Sequence, residues 1–308
     1  MEEVHAALTS RFDKITRETN PSQFVGLQLL ATPSGIALHQ DRYTQRLLDT
    51  FPACSAAPTP AIASGIPTDG EPCSVADAAL FRKMVGMLLY LANWSRPDIA
   101  SAVRAAAQGM AAPTIHHLAA ARRVVGYLRG LPSLHVNYTR NTSDIPPTLD
   151  LYVDADHAGE RDRQSITGMV SRILGQGPFA WRSQKQHLVA MSSTEAELIA
   201  LADCAGSISV LRRLLGELDL LRPGPTVINE DNISAITVLR DVVYNGRTKH
   251  IDIRLKSIRD LVRRSALALE YCQTKDQLAD MFTKSLGRDL FQRLRDSVLP
   301  QCGATREE

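Results

Sequence analysis

TLDLYVDADHAG, residues 148–159, decides how this chain is read. Its first seven residues form a short apolar strand that ends in a carboxylate, Asp154, and three further acids stand in comparable settings downstream. Glu197 falls in the first turn of a helix opened by SSTEAEL, residues 192–198, and Asp231 follows a second strand, TVINE, residues 226–230. Asp280 sits in a helix opened by TKDQLAD, residues 274–280. Each acid also has an ordinary explanation as a cap or a solvated surface group. Thr194 three residues before Glu197, for example, would complete a capping box. Only the set of four, spread over strand and helix ends that a fold could gather, argues for more.

Four carboxylates in one place suit hard divalent cations, because Mg²⁺ prefers oxygen ligands and clustered acids without a cation repel one another. Two such ions about 3.5 to 4 Å apart stabilise both the attacking and the leaving oxygen of an in-line phosphodiester displacement.

Seven ordered blocks carry a family resemblance: LYVDADHAG, SITG (165–168), FAWRSQKQ (179–186), SSTEAEL, EDNISAI (230–236), RTKHIDIR (247–254) and DQLADMFTK (276–284). Together they resemble the ribonuclease H domain of copia-type LTR retrotransposon Pol polyproteins, over residues 148–286. The resemblance implies an α/β fold, with a ribonuclease H-like mixed sheet flanked by helices and strands near residues 148–153, 167–174, 178–184, 226–230 and 266–272. It implies a metal-dependent endoribonuclease that cleaves the RNA strand of RNA/DNA hybrids with two Mg²⁺ ions, Mn²⁺ substituting. The catalytic and metal-ligating residues then fall on Asp154, Glu197, Asp231 and Asp280, with Asp156 beside the site. The chain departs from the family at His157, where Trp is usual, and at Glu230, which adds a carboxylate next to Asp231. Related retroviral enzymes carry a substrate-handling His shortly before the last Asp; residues 273–279 contain none, and His250 is the nearest candidate by motif.

The N-terminal half extends the resemblance. QFVGLQLLATPSGIALHQDRY, residues 23–43, reads as two apolar strands joined at the turn-forming Pro33, Ser34 and Gly35. It resembles the hairpin that follows the polymerase active site of copia-type reverse transcriptases. Residues 81–103 and 117–130 have helical apolar spacing and resemble that family's thumb and connection helices, although Leu118 replaces a usual Trp and Gly126 interrupts the second helix. The expected organisation is a palm-end helix and hairpin over 1–51, a linker over 52–80, thumb and connection helices over 81–140, the ribonuclease H domain over 148–287 and a tail over 288–308. The Pro-, Ala-, Ser- and Gly-rich stretch 52–74 predicts a mobile linker. No Tyr-x-Asp-Asp hairpin is present, and in YVDAD, residues 152–156, an alanine separates the two aspartates, so a competent reverse transcriptase is not expected from these residues.

With 308 residues, 44% hydrophobic and 22% charged, the chain can bury one full core and a smaller one. Five scattered cysteines without metal-ligand spacing point to a reducing intracellular setting, cytoplasmic or nuclear, and no apolar run is long enough for a membrane span. A net charge of +2 says little about partners, but its distribution says more. Arg247, Lys249, His250, Arg254 and Arg259 crowd one segment, the candidate contact for the phosphates of an RNA/DNA hybrid. A solvated helix face accounts for any one of them equally well. The rival reading of the whole chain is a catalytically inactive retrotransposon relic that binds nucleic acid. Oligomeric state is not legible in the sequence.

Overall fold

The structure, a computed structural model, describes residues 2–12, 14–18, 20–67, 69–140, 148–159, 163–173, 176–218, 224–240 and 249–301. After a first helix, α1 (Glu2–Thr9), an antiparallel sheet forms from β1 (Gln23–Phe24), β2 (Leu27–Thr32), β3 (Gly35–His39) and the later β4 (Val136–Thr139). Thr32 pairs with Gly35, so the expected turn at Pro33 and Ser34 is present. The second strand ends at His39, earlier than the apolar pattern suggested, because residues 41–50 become α2 (Asp41–Thr50) and bury Thr44, Leu47 and Leu48.

Three helices carry the N-terminal core: α3 (Val75–Trp94), α4 (Ala100–Ala107) and α5 (Ile115–Gly130). Ser74 caps α3 by accepting from Asp77 N at 3.1 Å, and Phe81, Met84, Val85, Leu88 and Leu91 form its buried stripe. The joint between α3 and α4 is the SRPDI run. Arg96, 2% exposed, pairs with Asp98 at 2.8 Å and donates to Leu131 O, while Tyr127 Oη donates to Asp98 at 2.7 Å. A charge so buried is stable only when paired and hydrogen-bonded, and every partner here comes from this corner.

Cys54, Ala57 and Cys73, in the stretch expected to be a mobile linker, are held by hydrogen bonds to α5 and its approach. Arg129 donates to Cys54 O, Leu48 O and Phe51 O, Ala57 N donates to Gly126 O, and Cys73 N to Pro113 O. A Cβ on Gly126 would lie 2.1 Å from Ser55 O, so the mid-helix glycine admits the passing strand of linker at a cost of about 1 kcal/mol in helix propensity. Residues 75–80, expected in the linker, already belong to α3.

The second sheet has the order β7-β6-β5-β8-β9, from β5 (Leu149–Asp156), β6 (Ile166–Ile173), β7 (Pro178–Lys185), β8 (Thr226–Glu230) and β9 (Leu267–Tyr271). β5, β6 and β7 run antiparallel, whereas β8 lies parallel to β5 and β9 parallel to β8. This is a mixed sheet flanked by helices, as the resemblance implied. The long α6 (Ser193–Glu217), with α7 (Ile233–Arg240) and α8 (Lys249–Arg263), covers one face in a core that includes Leu151, Val153, Leu201, Ile228 and Ile258.

The other face joins the two halves. Val170 and Phe282 belong to the same apolar cluster as the N-terminal helices, Trp181 Nε1 donates to Ala92 O at 2.7 Å, and Arg104 Nε donates to Ser183 Oγ at 3.0 Å. The last helices are α9 (Asp280–Thr283) and α10 (Arg288–Val298). From α10, Phe291, Leu294 and Val298 complete the N-terminal core, and Phe291 meets Tyr127 edge-on at 5.7 Å.

Candidate metal centre

Asp154 is the third residue from the end of β5, inside the strand rather than at its end, and only 1% exposed. Its cross-strand partner is Gly168 of the SITG block. A Cβ there would come within 2.5 Å of Thr283 Cγ2 and 2.7 Å of Ala279 O. The missing side chain is what lets α9 lie against β6 and bring Asp280 toward Asp154.

Glu197 sits in the second turn of α6, not the first. Ser192 is the cap and accepts from Glu195 N at 3.2 Å, while Glu195 accepts from Met191 N at 2.7 Å. The capping box with Thr194 therefore does not form, and Glu197 turns inward, 5% exposed. Asp231 follows β8, held by Asn232, whose Oδ1 accepts from Ala235 N at 3.0 Å to start α7. Instead of one helix from Thr274, a 3-10 turn (Thr274–Asp276) is followed by a buried Gln277. Gln277 donates to Val153 O at 2.9 Å and accepts from Ala279 N, pinning the loop to β5 so that Asp280 opens the short α9.

The carboxylate oxygens of Asp154, Glu197 and Asp231 lie within 4.8 Å of one another. Asp280 joins them through a cation. Lys284 Nζ is 2.8 Å from Asp280 Oδ1 and 3.5 Å from Asp154, and Thr283 Oγ1 donates to Asp154. Glu230, fully buried, accepts from Asn232 N at 3.0 Å through Oε1. Five carboxylates thus gather here, and Lys284 pairs with two of them, Asp154 and Asp280.

The electrostatics follow from that imbalance. Burial pushes Glu197 up to about 11, with the Glu230, Asp154 and Asp231 carboxylates adding to the effect. Glu230 rises to about 8, chiefly from burial, and Asp280 to about 6, from burial and then Asp154, tempered by Lys284. Burial raises Asp154 as well. Burial alone would lower Lys284, yet Asp154 and Asp280 hold it above its usual value. Glu197 Oε2 and Glu230 Oε2 are buried with no hydrogen-bond partner. Orphaned, proton-hungry oxygens of this kind fit a hard divalent cation, which would supply the positive charge the protein withholds.

Asp156 lines a cleft of about 830 Å³ with Arg104, His117, Lys185 and Lys284. His157 contacts Ala190 O at 3.2 Å and so ties the end of β5 to the approach to α6. Arg247 lies outside the described residues, and the side chains of Lys249 and His250 are likewise not described. Arg254 pairs with Asp203 at 2.6 Å and Arg259 donates to Val238 O at 2.6 Å. These two arginines tie α8 to α6 and α7. Lys284, Thr283, Gln277 and Gly168 were given no role from sequence, although Lys284 and Thr283 stand in the DQLADMFTK block and Gly168 in SITG.

No protein-family model matches the chain. It is 35% identical over 304 residues to the retrovirus-related Pol polyprotein from transposon RE2 of Arabidopsis thaliana, covering 96% of this chain and 20% of that one. It is 32% identical over 303 residues to the Pol polyprotein from transposon TNT 1-94 of Nicotiana tabacum, covering 94% and 22%. The chain therefore spans about a fifth of the length of these curated relatives. Among solved structures, the LC11 ribonuclease H1 isolated from compost aligns at 13% identity and a TM-score of 0.35, over 48% of this chain and 97% of that one.

Proposed function

From the premise that this chain belongs to the copia-type, retrovirus-related Pol polyproteins of transposons, we propose that residues 148–287 are a metal-dependent ribonuclease H that cuts the RNA strand of an RNA/DNA hybrid. The observation that carries the reading is the convergence of Asp154, Glu197 and Asp231 within 4.8 Å, with two buried carboxylate oxygens left without partners. Bound Mg²⁺, two ions in this reading, supplies a Lewis acid and an activated water for phosphodiester hydrolysis. Asp154, on β5, and Asp231, just after the parallel strand β8, would hold that charge, and Glu197 would close it from α6. Asp280, paired with Lys284 in the metal-free chain, would complete the donor set, and Lys284, which lines the cleft, would face the phosphates of a bound hybrid. Arg104 and Lys185, on the walls of the same cleft, orient the hybrid backbone. Polymerisation is assigned to none of these residues.

A hybrid labelled on its RNA strand tests the reading directly. Cleavage should appear with Mg²⁺ or Mn²⁺, vanish with a chelator, and leave the DNA strand intact. Lys284, seated between Asp154 and Asp280, favours the rival reading of a nucleic-acid binder that no longer cuts. Binding without cleavage in either metal would decide for that rival.

A further inference from the structure

A second cluster of metal-ligating groups stands apart from the acids of the ribonuclease H sheet. Leu38 of β3 pairs with Val136 of β4, so the antiparallel register places the next residues outward, His39 and His135, opposite each other. Their rings face at 4.4 Å with 32° between planes. Asp41, first residue of α2, reaches both: Oδ2 lies 3.0 Å from His135 Nε2 and 3.2 Å from His39 Nδ1.

An ordinary account would be one carboxylate bridging two imidazoles by hydrogen bonds. His135 fits it. His39 is the weaker partner, because its buried Nδ1 lies 3.2 Å from Asp41 without a well-aligned hydrogen bond. The three ligand atoms, one from each residue, all lie within 4.8 Å of one another. Atoms bound 2.0 to 2.1 Å from one tetrahedral ion are about 3.3 Å apart, close to both contacts made by Asp41 Oδ2. The side chains are 12%, 21% and 33% exposed for His39, His135 and Asp41, so a water could reach a fourth position. Two imidazoles and one carboxylate select a borderline transition ion over Mg²⁺, which prefers an all-oxygen shell.

We infer that His39, Asp41 and His135 form a site for Zn²⁺ or a similar divalent transition ion, clipping β3, α2 and β4 together at the end of the first sheet. The ion binds only where the register brings the two histidines together, so it stabilises the folded chain by mass action.

The test uses the full chain, stripped with a chelator and titrated with Zn²⁺ in excess Mg²⁺, which keeps the carboxylate cluster occupied. Calorimetry should show one Zn²⁺ bound, and saturating Zn²⁺ should raise the unfolding temperature by roughly 2 °C or more. His39→Gln with His135→Gln should weaken that binding by roughly tenfold or more, whereas Asp154→Asn should leave it unchanged. Should the double variant fail to fold, Co²⁺ added to the wild-type chain under the same conditions gives the answer: imidazole-bound Co²⁺ of low coordination shows strong visible bands. Weak bands of an all-oxygen octahedral shell, no Zn²⁺ binding, or Zn²⁺ binding lost in Asp154→Asn and kept in the histidine variant would each overturn the inference.

Discussion

Asp154 is the residue on which most of the chemistry turns, since it meets Thr283 and Lys284 and has an oxygen within 4.8 Å of one from each of Glu197 and Asp231. Asp154→Asn or Asp231→Asn keeps the shape and removes a charge that a bound cation would need, while Lys284 keeps its closer partner, Asp280. Hybrid cleavage should fall by orders of magnitude in either variant, while metal-free thermal stability holds or rises slightly as repulsion among the acids is relieved. Cleavage and melting curves on the same preparations check both halves, and full activity in either variant would move the chemistry elsewhere. Gly168 acts at a distance from the reaction. Gly168→Ala forces a methyl against Thr283 and the Ala279 carbonyl, an overpacking that should destabilise by about 1 to 3 kcal/mol and displace α9 with Asp280. Lower unfolding temperature together with reduced cleavage is the expected result; unchanged values for both would show that α9 yields freely.

At the scale of elements, the Arg96–Asp98 corner is a joint that single substitutions should break. Arg96→Ala leaves Asp98 buried, bonded only to Tyr127, and should destabilise the chain by about 3 to 5 kcal/mol in denaturant unfolding. A loss below about 1 kcal/mol would mean that solvent reaches the corner. Elements of this kind differ in how plainly the sequence announces them. The five strands of the second sheet were legible to within a few residues, because apolar runs such as TLDLYVD and TVINE are short and end in polar residues. The acids were legible from their blocks. The turn of Glu197 inward was not, since Ser192 and Thr194 are both good caps and only the packed helix decides between them. Residues 52–74 misled because composition reports flexibility, whereas their anchors, Arg129 and Gly126, lie far along the chain on α5. Lys284 escaped for a similar reason: a lysine after a helix is ordinary until Asp154 and Asp280 are placed on either side of it.

For the molecule as a whole, the buried acids set a pH dependence with a definite sign. Glu230 and Asp280 hold their protons more tightly folded than unfolded, at about 8 and about 6. Their contribution is complete below the unfolded carboxylate range and is lost as pH rises through those values. The metal-free protein should therefore melt at lower temperature as pH is raised from 5 to about 8, and added Mg²⁺, which needs the deprotonated acids, should restore stability most at the upper end. Melting curves across that range with and without Mg²⁺ check it; a metal-free protein that grows steadily more stable toward pH 8 would contradict it. One other feature of the whole bears on how the chain is made. Because α10 supplies Phe291, Leu294 and Val298 to the core built by α3 and α5, the first half cannot close until residues near 300 have left the ribosome. At about 5 to 20 residues per second, that leaves an apolar face of the nascent helices waiting about ten to thirty seconds for its cover. A copy of the gene carrying a stop codon anywhere before α10 would thus yield more than a shortened chain: its N-terminal helices would remain unsealed, prey to aggregation and proteolysis even though every residue of their own sequence was intact.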